Sequence, residues 1–498
     1  MKHDKLADAL SELDDRHIAE ALKPRRRYGW WISTVAAILV LAIGLGLFLR
    51  PGVQPEPTLQ NPTFPIVTTP ADTQAPAYNT PPAPGLAPVE LLSGRYAIAT
   101  ASYPKMAAYS EDNYIAWSAS QKAMHNQPDG YADSLQACWD LLVPALLSGN
   151  EGENTTCSPL NIYMALAMLA ECTDGQSRQQ ILDLLNTENM EAARLQANRV
   201  WKAHYNNDNL SKSILGSSLW LEEGYGFNQA TADLLAENYY ADVFQGDLSS
   251  PELEYELQTW LNQKTGGLLT EQVQNVHFDL MTVLALATTI DYQVQWRDFQ
   301  FSESKNTQGA FHGAKGDTTE TYMHTRLEYG PYYWGEHFGA VSLPLEDGSK
   351  LWLILPDEGI TPEEITHEAM AFLRDPNKED QKRIKVNLSL PKFDVVSQRD
   401  IVSTLQQLGV TDVFQSGVAD FSPILPEDDG GFVSSVNHAA RVMIDEEGVT
   451  AAAFTVILRC GAAMPPEEQV DFVLDRPFLF FVESHDDLPL FAGIINEP

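Results

Sequence analysis

The sequence predicts one large α+β domain, and three patterns in it carry that reading. Residues 132–147 place Leu135, Trp139, Leu142 and Leu146 on one helical face, residues 215–222 alternate as a strand does, and residues 281–296 read as a buried run. Helix and strand are mixed along one chain. With 498 residues and 44% apolar content, that chain can bury a large core and still carry appendages.

Residues 1–30 are polar and charged, with a short amphipathic pattern around Leu10, Leu13, Ile18 and Leu22, and they end in Lys23-Pro24-Arg25-Arg26-Arg27. A cytoplasmic tail fits. The next stretch, 31–49, has no charge and as a helix would measure about 28 Å at roughly 1.5 Å per residue, close to the hydrocarbon thickness of a bilayer. Residues 31–50 are therefore expected to be a transmembrane helix. The arginines before it place the N-terminus in the cytoplasm and everything after Arg50 outside. A cleavable signal peptide is the rival, but its apolar part is shorter and small residues follow it, whereas Leu49-Arg50-Pro51 follows here. Prolines recur through 51–92 among Thr, Gln and Ala, which predicts an extended linker standing off the membrane. Residues 93–130 hold Tyr96, Tyr103, Tyr109, Tyr114 and Trp117, and are expected to form a lead-in packed on the main domain, 131–498.

A formal charge of −36, from 68 acidic and 32 basic residues, argues against nucleic acid, which needs clustered Lys and Arg. The four cysteines, Cys138, Cys157, Cys172 and Cys460, show no Cys-x-x-Cys pair for zinc and too low a density for a disulfide scaffold, so they read as thiols. Cys460 is the one expected to be reactive. There is no Gly-x-Ser-x-Gly elbow, no His-Glu-x-x-His and no Gly-rich phosphate loop, and the eleven histidines are scattered. No enzyme, cofactor or metal centre is expected.

Within the main domain, Ser158 is placed to cap a helix starting at Pro159. Residues 228–239 and 251–264 read as further helices, the second closed by Thr265-Gly266-Gly267. The least regular piece is 446–466. Its alanines suggest helix, while Thr450, Phe454, Thr455, Val456 and Ile457 favour strand, and Gly448, Pro465 and Pro466 bound it as a loop. An uncharged, strand-competent segment between loop markers can be stored outside a sheet and paired into it later.

That stretch resembles the hinge and reactive loop of the serpins, with Glu446-Glu447-Gly448 as the hinge, the small run Ala451, Ala452 and Ala453 after it, and Pro465-Pro466 closing the loop. Val436-Asn437-His438-Ala439-Ala440 before it and Asp475-Arg476-Pro477-Phe478 after it are similar to that family too. So are Cys157-Ser158-Pro159-Leu160, Leu353-Ile354-Leu355-Pro356, Leu390-Pro391-Lys392-Phe393 and the closing Pro489-Leu490-Phe491-Ala492-Gly493. The resemblance runs from about Tyr131 to the end. It implies the serpin fold: a large central, mostly antiparallel sheet with additional sheets, about eight to nine helices and an exposed reactive loop. A membrane-anchored, bacterial member is expected, acting as a monomer.

What the resemblance implies for function is suicide inhibition of serine proteases through a covalent complex. A protease cleaves the loop as an acyl intermediate, and the freed loop enters the central sheet as a new strand. About fifteen residues at roughly 3.3 Å each would carry the protease about 50 Å. A dozen ladder bonds plus apolar burial would release on the order of 10 to 20 kcal/mol, so the intact form must be metastable. Val449, Ala451, Ala453 and Thr455 would face inward and are small or β-branched, and Thr450 and Ala452 would alternate with them. Counting by resemblance puts the cleaved bond between Ala462 and Ala463, and a methyl side chain suits an elastase-like pocket. The other register puts Arg459 there, with trypsin-like targets.

Ser158, Asn161, Thr288 and His438 match the polar cluster under the sheet that controls its opening, and Trp296 matches the residue where the loop first enters. Asn161 and Thr288 stand where the family has a hydroxyl and an amide in the opposite order, which predicts one shared hydrogen-bonded network reaching His438. Asp291-Tyr292-Gln293-Val294 departs from the family pattern. That departure leaves open a non-inhibitory binding or structural role.

Overall fold

A computed structural model describes residues 93–498 apart from 150, 209, 275, 279–281, 298, 300, 377–380, 428–430 and 450–466. Residues 1–92, with the expected tail, transmembrane helix and linker, lie outside it. So does 450–466, with Thr450, Ala451, Ala452, Ala453, Thr455, Cys460, Ala462 and Ala463. Among the described residues no helix is long and apolar enough to cross a membrane.

Two sheets organise the domain. The first runs in the order β1 (Ala97–Ala99), β5 (Ala241–Gly246), β4 (Ser211–Glu222), β6 (Leu284–Gln295), β14 (Gly448–Val449), β13 (Asn437–Ile444) and β12 (Phe393–Asp400), with the short β3 (Asn206–Asn207) on β4. Its ladders are antiparallel except between β4 and β5. The second runs β15 (Gln469–Val473), β11 (Gln381–Pro391), β8 (Gly316–Trp334), β9 (Phe338–Pro344), β10 (Lys350–Pro356), β16 (Phe478–Glu483), β17 (Pro489–Ile495) and β2 (Thr155–Cys157), with β7 (Thr307–Gly313) on β8.

Around them lie α1 (Ser93–Tyr96), α2 (Tyr114–His125), α3 (Leu135–Leu147), α4 (Pro159–Cys172), α5 (Gly175–Leu184), α6 (Met190–His204) and α7 (Gln229–Asn238). Then come α8 (Pro251–Lys264), α9 (Thr270–Val273), α10 (Pro362–Leu373) and α11 (Val402–Gln407). The described residues hold more helices than the eight to nine expected, because four-residue turns such as α1 and α9 add to the longer ones.

The helix predictions follow from capping and periodicity. In α3, Leu135, Trp139, Leu142 and Leu146 are all buried. Ser158 caps α4 by accepting the Asn161 N–H at 3.3 Å, with Pro159 at the first helical position, where its missing N–H costs nothing. Beyond Lys264, α8 stops because Gly266 and Gly267 take left-handed conformations at φ 60° and 86°, and the Gly267 N–H caps the Asn262 carbonyl at 2.8 Å.

Two strand expectations need correction. Residues 215–221 of β4 are buried without alternation, since the sheet is covered on both faces, by α8 on one and the main core on the other. In β6, Ala285, Leu286, Ala287 and Thr288 are half-buried where a buried run was expected. The reason lies in the strand's free edge, described below.

The segment 93–130 packs on the domain. β1 extends the first sheet by pairing with β5, and the Ala101 N–H donates to Asp242 Oδ1 at 3.0 Å. Asp242 also accepts from Trp260 Nε1 at 2.9 Å and pairs with Lys264 Nζ at 3.0 Å, so lead-in, β5 and α8 share one buried carboxylate. Tyr103 lies 5.4 Å from Trp201, with Lys264 Nζ 4.5 Å from its ring centre. Trp117 Nε1 and Gln121 Nε2 both donate to Asp208 Oδ2. Cys138, Cys157 and Cys172 are free and buried, and burial pushes the thiols of Cys138 and Cys157 up to about 12.

Candidate functional site: a strand slot and its hinge

A gap in the first sheet lies between β6 and β13. β6 is laddered to β4 from Leu284 to Val294, and β13 is laddered to β12 along its whole length. Between β6 and β13 themselves no ladder forms among the described residues, and β14 is the strand that pairs with both. This free edge exposes the middle of β6. Cavities border the gap on both faces. One, partly open, lies under α8 and α9 and is lined by Leu257, Leu261, Ala285, Ala287, Asn437 and Ala439 among others. The other is walled by Ile162, Leu166 and Leu169 of α4, and Thr288 and His438 line it.

The hinge sits at the top of this slot. From Asp445 the chain turns, with Asp445 Oδ1 accepting the Glu447 N–H at 2.8 Å and the Gly448 N–H at 3.3 Å. It re-enters as β14, whose Gly448 and Val449 lie opposite Gln295 and Val294 on one side, and Val449 opposite Ile444 on the other. Val449 is 1% exposed and packs into the main core. Gly448 has φ 156°, and a methyl group there would lie 2.8 Å from the Cα of Gln295 and collide with the Val294 carbonyl. Glycine is required by close approach to β6.

Three further contacts fix the hinge. Trp296, 5% exposed, donates Nε1–H to the Asp445 carbonyl at 3.0 Å and its backbone N–H to the Glu447 carbonyl at 3.2 Å. Lys392 Nζ reaches Glu446 Oε1 at 2.6 Å, and Asn306 Nδ2 donates to the same oxygen at 2.5 Å. Burial pushes the Glu446 carboxyl upward, but the hydrogen bonds from Lys392 and Asn306 outweigh it and hold the pKa below its ordinary value.

The polar cluster under the slot differs from the shared network predicted for it. His438 Nε2 accepts the Ser158 N–H at 3.0 Å, so the imidazole is satisfied by backbone. Both polar atoms of the buried Asn161 amide are without a partner, and Thr288 makes no side-chain hydrogen bond among the described residues. Ser158 alone bridges the group, through its hydroxyl to the Asn161 N–H and its N–H to His438. The hydroxyl and amide do not meet because Thr288 stands on the open edge of β6.

Asp291, in the segment that departs from the expected pattern, is buried and ion-paired with Lys212 of β4. Tyr292 OH donates toward Asp347 Oδ2 at 2.9 Å and lies 2.5 Å from Ser349 Oγ. Neither partnership was legible in the sequence, since Asp347 and Ser349 belong to the turn before β10.

Comparison with known proteins agrees with this architecture. The family model described as Serpin (serine protease inhibitor) matches residues 138–498. The chain belongs to the serpin family. Serpin-ZX of Arabidopsis thaliana is 26% identical over 384 residues, covering 73% of this chain and 97% of the relative. The Leukocyte elastase inhibitor of Homo sapiens is 28% identical over 370 residues, covering 71% and 96%. Among solved structures, the native state of the thermophilic serpin tengpin superposes with a TM-score of 0.66 at 23% identity, covering 82% of this serpin and 99% of tengpin. That likeness speaks for the fold. Serpins are in general protease inhibitors and not proteases.

Two measurements test the hinge. Gly448→Ala should drive β14 out of the sheet, seen as new protease cleavage close to Val449 under native conditions; a cleavage pattern like the parent's would contradict the geometry. The second is pH. Burial, reinforced by the Arg399 charge, lowers the His438 pKa to about 4, against 6.5 unfolded. Its contribution is complete above the unfolded value and is lost as pH falls from 6.5 toward 4, amounting to about 2 kcal/mol by pH 5. A His438→Gln variant should therefore lose less stability than the parent between pH 7 and pH 5 in urea unfolding.

Proposed function

We propose that this serpin is a suicide-substrate inhibitor of elastase-like serine proteases, cleaved between Ala462 and Ala463 and tethered outside the cell through residues 31–50. The observation that carries the reading is β14: Gly448 and Val449, where the loop begins, pair between β6 and β13, and below them no ladder joins those two strands among the described residues. A single open position between two strands fits an inhibitor whose own loop fills it.

Continuing the ladder past Val449 by its own register gives the inserted state. Residue 451 would lie between Tyr292 and Val442, residue 453 between Ile290 and Ala440, and residue 455 between Thr288 and His438. Residues at this spacing share the face that Val449 presents to the main core. Ala451 and Ala453 are small enough to sit beside Tyr292 and Ile290. Thr455 would bring a hydroxyl to Thr288, whose own makes no hydrogen bond among the described residues. Elastase is favoured by the methyl side chain at Ala462, and by a human relative named as a leukocyte elastase inhibitor.

Incubation with leukocyte or pancreatic elastase should give a complex that survives a denaturing gel, with mass spectrometry placing the cut after Ala462. Val449→Arg should abolish the complex and leave the chain cleaved as a substrate, since a charge would have to enter the core beside β6. Cleavage after Arg459 would move the target class to trypsin-like enzymes, and cleavage without any complex would defeat the inhibitory reading. For the tether, protease added to intact cells should remove the serpin domain and spare the N-terminal tail; protection of the domain would reverse the assigned orientation.

A further inference from the structure

Three histidines far apart in the sequence meet on one side of the domain. His125 ends α2 of the lead-in, His204 ends α6, and His485 stands in the turn between β16 and β17. The ring centres of His125 and His485 are 5.4 Å apart, and those of His204 and His485 6.1 Å. Two imidazoles on one tetrahedral ion would place their ring centres about 5 Å apart, given nitrogen–metal bonds of about 2.0–2.1 Å.

In each ring one nitrogen is already engaged outside the trio. His204 Nδ1 lies 2.7 Å from the Val200 carbonyl oxygen, His125 Nε2 lies 2.9 Å from the Tyr205 carbonyl oxygen, and His485 Nε2 lies 3.3 Å from Asp486 Oδ2. A ring N–H donated to a carbonyl or carboxylate leaves the opposite nitrogen as a bare lone pair. Metal-ligating histidines are oriented in this way. His204 adds an independent sign, because its Nε2 is fully buried and has no hydrogen-bond partner, a state that native folds avoid.

We propose that His125, His204 and His485 form a binding site for one Zn2+ ion that ties the lead-in helix to the serpin body. As the side chains stand, no three His, Cys, Asp or Glu groups among the described residues are placed to hold a metal ion, so the site requires His485 to move. His485 is exposed in its turn and can swing toward the buried His204, which is the fixed member. The need for such a tie is visible in α2, none of whose residues is buried.

The test is zinc titration of the full chain after chelator dialysis, followed by calorimetry and thermal melting. One Zn2+ per chain should bind and raise the melting temperature. His485→Asn and His125→Gln, both at positions outside the core, should each weaken binding at least tenfold without lowering the zinc-free melting temperature appreciably, while His277→Gln should bind as the parent does. A parent chain with no saturable one-to-one uptake, or trio variants that bind like the parent, would overturn the site.

Discussion

The inner edges of β6 and β13 are the constraint on which the rest of this structure depends. A strand inside a sheet normally has both edges paired, because each unmatched N–H and C=O is a lost hydrogen bond. Here each of the two strands is fully laddered on its outer side, and below Val449 neither forms a ladder on its inner side among the described residues. The two edges are held apart by hinge residues wedged at the top of the slot, and an added strand would pair with both at once. On the proposed inhibitory reading those edges are bonds still to be made, and the hinge is the part that would govern their formation.

The covering elements suit this arrangement. α8 and α9, with the turn between them, lie over the slot with Leu257, Leu261, Leu269 and Val273 facing the sheet; beneath them the slot's margins carry Ala285 and Ala287 on β6 and Ala439 on β13, while Arg441, farther along β13, donates to the Leu268 carbonyl at 2.6 Å. Bulkier side chains there would fill the space a new strand needs. The same helix is anchored at its far end through Lys264 and Trp260 to Asp242, which also takes the lead-in's Ala101 N–H. Lead-in and helix are thus held by one buried carboxylate, so a disturbance of residues 97–103 reaches the helix above the slot.

Much of this was legible in the sequence wherever local chemistry decides the structure. The cap at Ser158 and the limits of α8 each follow from backbone requirements that few residue types meet, and Gly448, singled out by resemblance, meets one as well, since only glycine fits its close approach to β6. The continuous burial of β4 was not legible, because alternation reports one covered face and cannot show that a helix covers the other. The missing network around His438 was not legible either. Residue types can be matched one by one, but whether Thr288 meets Asn161 depends on the separation of two strands. The histidine trio is drawn from a lead-in helix, a body helix and a C-terminal turn, so no spacing rule could have joined its members.

The departure at Asp291-Tyr292 can be weighed by the same register. Opposite an inserting strand, Tyr292 occupies a core-facing position where its ring fills the volume beside the slot and its hydroxyl is satisfied by Asp347 and Ser349. The ring is therefore fixed and cannot swing aside for a large neighbour. A large residue could not lie opposite, and on the proposed insertion Ala451 is what the loop would supply there. Asp291 points to the other face, where Lys212 neutralises it against β4 and away from the free edge. The unusual segment thus narrows what the slot accepts and leaves its access intact, which weighs toward insertion and against a sheet that has lost the ability to open.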